Sequence, residues 1–116
     1  MTLEPEKIPA RVRTVFQNPR NRFYLSVVST WEIAIKDQIG RLDLPSPPAQ
    51  FLSECISGYD LSVIDIQLRH TLHVGGLPIH HRDPFDRMLV SQAQLERLSI
   101  LTADPAFSHY DVEIVW

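Results

Sequence analysis

The chain has 116 residues, of which 44% are hydrophobic and 22% charged, which suits one folded domain over 1–116 and excludes a disordered chain. Eleven Lys and Arg against fourteen Asp and Glu give a net charge of −3, which excludes a generally basic, nucleic-acid-coating protein. A local basic patch or a metal ion could still bring phosphate to an acidic site.

No apolar run approaches the roughly 20 residues that cross a bilayer, and Met1 to Pro9 has no apolar signal core. The lone Cys55 excludes an internal disulfide and reads as a small buried hydrophobe in a reducing compartment. The expectation is a cytoplasmic domain with no membrane segment.

In chain order, Pro9 to Gln17 predicts a short helix, with proline at its start and Asn18-Pro19 at its end. Phe23–Ser29 is short and rich in β-branched and aromatic residues, which predicts a buried strand. A helix over Trp31–Ile39 follows, with Gly40 at the position where a left-handed backbone is wanted. Beyond the stiff Leu44-Pro-Ser-Pro-Pro48 connector come a helix over Ala49–Ser57 and a strand over Leu61–Ile66. A short helix over Gln67–Val74 ends at Gly75-Gly76, and a longer helix runs from Pro84 to Arg97. Ser99–Ala103 and Val112–Trp116 are the last two strands. Strands alternating with helices predict βαβ units and a mostly parallel sheet.

The candidate chemistry sits at the junctions. Glu32 follows the first strand, Asp83 and Asp86 open the long helix, and Asp104 lies just beyond the third strand. In an open parallel α/β sheet the C-terminal strand ends share one edge, so acids distant in sequence can converge there. Several oxygen ligands without cysteine suit Mg²⁺ or Mn²⁺, an ion that can activate water and stabilise charge on a phosphodiester. Each acid also has a plain structural reading. Ser29-x-x-Glu32 matches a capping box, Asp83 suits an N-cap before Pro84, Asp86 favours the positive end of the helix, and Asp104-Pro105 is a further cap. Spacing alone leaves the two readings balanced.

Three strings tip the balance. Phe23-Tyr-Leu-Ser-Val-Val-Ser-Thr-Trp-Glu-Ile-Ala-Ile-Lys36 with Ile39-Gly-Arg-Leu42, His81-Arg-Asp-Pro-Phe-Asp-Arg-Met-Leu-Val-Ser-Gln-Ala93, and Ile100-Leu-Thr-Ala-Asp104 with Val112-Glu-Ile-Val-Trp116 occur in order across nearly the whole chain. They resemble the second, third and fourth blocks of VapC-like PIN-domain ribonucleases. The resemblance implies a three-layer α/β PIN-like fold. It also implies a toxin of a toxin–antitoxin pair, an endoribonuclease using Mg²⁺ or Mn²⁺ and held by an antitoxin protein. It assigns catalytic and metal roles to Glu32, Asp86 and Asp104, with Asp83 as the alternate ligand to Asp86. Thr102, Arg82 and Arg87 are candidates for orienting water or holding RNA phosphates, or else a strand hydroxyl and exposed helix charges.

The chain also departs from that family. Members open with a strand ending in an Asp-Thr-His-like motif, whose aspartate is the first metal ligand. Here no aspartate precedes Asp37, and Glu4 and Glu6 lie in a Pro-interrupted stretch without strand pattern. The sequence therefore resembles a PIN domain lacking its first strand, which would stand mid-sheet. Phe23–Ser29 and Ser99–Ala103 must then pair directly, twist apart or be bridged by another chain. An open strand edge also makes a homodimer an expectation. With one carboxylate fewer, the expected activity is weak or absent, and the rival reading is a catalytically dead PIN-like binding protein.

Of the remaining residues, His80-His81 reads as a solvated loop. His70 and His73 can share a helix face but lack a third ligand at useful spacing. His109 lies near Asp104, where it could contact substrate. Trp31 and Trp116 are expected in the core rather than as base-stacking platforms.

Overall fold

The computed structural model describes residues 8–80 and 82–116; Glu4, Glu6 and His81 lie outside the described residues. Its elements are α1 (Ala10–Gln17), β1 (Tyr24–Ser26), α2 (Val27–Gln38), α3 (Pro48–Gly58), β2 (Ser62–Ile64), α4 (Leu68–Val74) and α5 (Pro84–Glu96). After α5 come β3 (Ile100–Leu101), a 3₁₀ turn over Pro105–His109 and β4 (Ile114–Val115). All the expected helices form, and all four expected strands form in shortened versions. The architecture is mixed α/β with parallel strands.

Two local corrections follow from one hydroxyl. Phe23–Ser29 is not a strand throughout, because α2 begins at Val27. Ser26 is its N-cap, its Oγ accepting from the Val28 N–H at 3.1 Å. Val28 is then 1% exposed, so burial in the first turn outweighs the weak β preference of the Val-Val pair. With Ser26 as cap, Ser29 lies inside the helix and the expected Ser29–Glu32 capping box does not form. Glu32 stands in the second turn, where its carboxylate has no role at the helix end.

The far end of α2 follows expectation. Gly40 has φ +73, and the N–H groups of Gly40 and Arg41 donate back to Asp37 O at 3.1 Å and Lys36 O at 2.9 Å. This is the double closure of a helix by a left-handed residue. It folds Arg41 back towards Lys36.

Strand β1 pairs with β2 in parallel, Leu25 opposite Val63, and β3 pairs with β4 in parallel, Ile100 opposite Ile114. Among the described residues no ladder joins the two pairs. Of the three arrangements expected for β1 and β3, direct pairing is therefore absent.

Helix α5 packs against both α4 and α2, tying the halves together. On its C-terminal side Val90, Leu77, Phe107 and Tyr110 form a buried cluster flanked by Leu89, Ile100, Val112 and Ile114. Elsewhere Val12 of α1 is fully buried, Cys55 of α3 is buried as expected, and Trp116 is half-buried. The Arg11 side chain donates to the Trp116 carbonyl, fastening α1 to the C-terminal residue.

A polar network crosses the same seam. His70 is fully buried; its Nδ1 accepts the Gln67 N–H at 3.0 Å and its Nε2 lies 2.9 Å from Glu96 Oε1. Ser91 Oγ donates to His70 O at 2.7 Å, Gln92 Nε2 to Asp65 O at 3.2 Å, and Ser26 Oγ to Gln92 Oε1. Among the described residues, the buried side-chain polar atoms other than Ser46 Oγ have hydrogen-bond partners, as buried polar groups require.

Candidate active-site groove

An open groove of about 400 Å³ lies between α2 and the start of α5, within the range of small-ligand sites. Glu32, Ile35 and Lys36 line it from α2, Ile39 and Arg41 from the turn after α2, and the N-cap Asp83 with Pro84 and Phe85 from the start of α5. Helical geometry explains the first wall. Glu32 and Lys36 are four residues apart and share a face, their charged groups 3.6 Å apart, beside the Ile35–Ile39 row. The left-handed turn at Gly40 adds Arg41.

The second wall is built by a cap. Asp83 Oδ1 accepts from the Phe85 and Asp86 N–H groups at 2.9 and 3.3 Å, and Pro84 occupies the first helical position. Asp86 stands in the first turn, half-buried. Phe85 takes the indole of Trp31 edge-on, with ring centroids 4.9 Å apart and planes at 74°. Trp31 is 57% exposed, a correction to its expected place in the core.

The expected site residues thus divide. Glu32 and Asp83 share the groove and Asp86 lies beside it on the same helix start. Asp104 is exposed and caps the 3₁₀ turn through Oδ1, accepting from the Ala106 N–H at 2.9 Å. Thr102 Oγ1 accepts the Asp104 N–H at 3.1 Å, which fixes that turn. Arg82 is exposed next to Asp83. Arg87 donates to the carbonyls of Pro78 and Val74 at 2.9 and 3.1 Å and to the Tyr110 hydroxyl at 3.2 Å, a clasp on the loop before α5.

Among the described residues, no three carboxylate, histidine or cysteine groups come together as a metal cage. What they do supply is a pair of carboxylates, Glu32 and Asp83, facing one open groove. A small hard cation is held by one or two carboxylates, with water and substrate phosphate completing its shell, so the pair fits the minimum of such a site and no more.

Lys36, Arg41 and Ile39 escaped the sequence reading. Lys36 and Arg41 stand within the quoted strings and were legible as a helix face and a post-helix turn.

Residues 2–113 match the model of the PIN domain family. Over 61 residues the chain is 34% identical to Ribonuclease VapC16 of Mycobacterium tuberculosis (strain ATCC 25618 / H37Rv), a stretch covering 53% of this chain and 43% of that protein. With the match running over almost its full length, this chain belongs to the PIN domain family.

Proposed function

We propose that this chain is a metal-dependent endoribonuclease of the VapC-like toxin type, weak or inactive because, among the described residues, only the two carboxylates Glu32 and Asp83 face its groove. The observation that carries the reading is the meeting of Glu32 and Asp83, from segments far apart in sequence, in a groove that also holds Lys36 and Arg41. Carboxylates and cations side by side suit a metal and the phosphodiester it acts on. Glu32 and Asp83 would hold Mg²⁺ or Mn²⁺, with Asp86 and Asp104 in the roles their matching blocks give them. When bound, the ion supplies charge stabilisation at the phosphate and lowers the cost of deprotonating water. Lys36, Arg41 and Arg82 would orient the RNA backbone.

The family resemblance further supports a cytoplasmic toxin held by an antitoxin protein. No helix among the described residues is long and apolar enough to cross a membrane.

The experiment is calorimetric titration of the chain with Mn²⁺, beside a Glu32→Gln, Asp83→Asn variant and an Asp86→Asn, Asp104→Asn variant, followed by RNA cleavage with each. Heat in the parent, lost in the first variant, together with slow Mn²⁺-dependent cleavage supports the proposal. Equal heats in parent and variants remove the metal centre from these acids.

A second reading rests on the split sheet: among the described residues, β1 and β3 each carry a ladder on one side only. Open edges favour association, so a catalytically dead PIN-like protein that binds an antitoxin or a second copy of itself fits them. Sedimentation showing a stable dimer, with neither Mn²⁺ binding nor cleavage, would select it.

A further inference from the structure

We propose that Trp31 is a nucleobase-stacking residue, which holds a base of single-stranded RNA flat against the rim of the Glu32–Asp83 groove. The inference rests on the reading that this groove takes RNA, and adds to it the residue that positions the chain. Trp side chains are usually well buried, yet Trp31 is 57% exposed while half-buried Phe85 lies beneath it. An edge-to-face contact at 4.9 Å and 74° can cover at most one face of the indole. With more than half of the residue exposed, the indole offers surface to a ligand while the contact with Phe85 fixes the ring's orientation.

Position matters as much as exposure. Trp31 adjoins Glu32 in sequence, about 100° away around α2, and Phe85 beneath it lines the groove between Asp83 and Asp86. A base stacked on Trp31 brings its own phosphates to the carboxylates and to Lys36 and Arg41, the cations of the same groove. Two cations able to meet phosphates beside an exposed indole able to take a flat base suit a nucleic-acid strand better than an apolar protein surface. Stacking is sequence-tolerant, since every base has a π-face, so Trp31 sets register along the strand rather than base identity.

The test uses the full chain with Trp116→Phe, so that Trp31 is the remaining indole. It is titrated with a short oligouridylate and, separately, with inorganic polyphosphate of similar charge, without metal. Emission from Trp31 should be quenched by the oligonucleotide and unaffected by polyphosphate. In the Trp116-containing chain, Trp31→Ala should weaken oligonucleotide binding by about tenfold, and Trp31→Tyr should restore most of it. Circular dichroism of the variants checks that the exposed position leaves the fold intact.

RNA bound equally well by parent and Trp31→Ala would overturn the stacking role and leave the ribonuclease reading standing. No RNA binding by the parent overturns both. Emission that shifts with protein concentration, and not with RNA, would assign the indole to a protein interface and likewise overturn the proposal.

Discussion

The buried imidazole of His70 bridges two helices, with Nδ1 accepting the Gln67 N–H at the start of α4 and Nε2 set 2.9 Å from Glu96 at the end of α5. Its acceptor role at Nδ1 leaves the proton of the neutral ring at Nε2, where it donates to the carboxylate. Glu96 also takes Arg69, so one carboxylate joins a buried ring to a surface cation.

His70→Ala should therefore destabilise the chain by about 3 kcal/mol, from the cavity and from the orphaned Gln67 N–H. Glu96→Gln keeps an acceptor for Nε2–H and should cost about 1 kcal/mol or less. Urea unfolding of the two variants measures both, and similar losses would show that the link to the Glu96 carboxylate, rather than the volume of the ring, carries the contribution of His70.

Asp83 has two roles that one substitution can separate. Serine is as good an N-cap as aspartate, so Asp83→Ser should change stability by no more than about 0.5 kcal/mol. Asp83→Ala should cost about 1 kcal/mol. Both remove the carboxylate from the groove, and both should abolish Mn²⁺ heat in calorimetry. Heat retained by Asp83→Ser would mean that Asp83 serves the helix alone.

Gly40 is the third case. Its φ of +73 disfavours any side chain, although a Cβ there would meet nothing within 4 Å. Gly40→Ala should cost about 1–2 kcal/mol through backbone strain alone. Because the turn sets Arg41, the variant should also bind oligonucleotide more weakly, which fluorescence anisotropy would read.

Arg97 offers the opposite sign. It ends α5 at φ 56, a left-handed backbone that a non-glycine residue adopts at a cost. Arg97→Gly should raise stability by roughly 0.5 kcal/mol, the relieved strain being partly offset by greater freedom of the unfolded chain. A lower melting temperature would show that the Arg97 side chain holds contacts of greater worth.

Much of this was legible in the sequence, for reasons that differ by residue. Asp83-Pro84 announces a capped helix because side-chain oxygen and fixed φ act locally, and Gly40 announces a left-handed closure for the same reason. Ser26 displaced Ser29 as the cap of α2 because burial of Val28 settled the helix start, and burial is not local. Residue type alone puts Trp31 in the core; its exposure depends on where Phe85 arrives from a segment 54 residues on. The groove's two carboxylates meet because α2 packs against the start of α5, a tertiary contact, and the place of Asp104 depends on how the two strand pairs sit.

The divided sheet bears on how the molecule acquires its shape. β3 and β4 are joined by a short crossover, Leu101 to Ile114, while β1 reaches β2 only after α2 and α3 have been laid down. Loop closure favours the shorter path, so the C-terminal pair should assemble on α5 first and serve as the template on which β1 and β2 later close. Amide protection in pulse-labelled refolding should then appear at Ile100 and Ile114 before it appears at Leu25 and Val63. The groove, whose two walls belong to the early and late halves, would be the last part of the protein to exist.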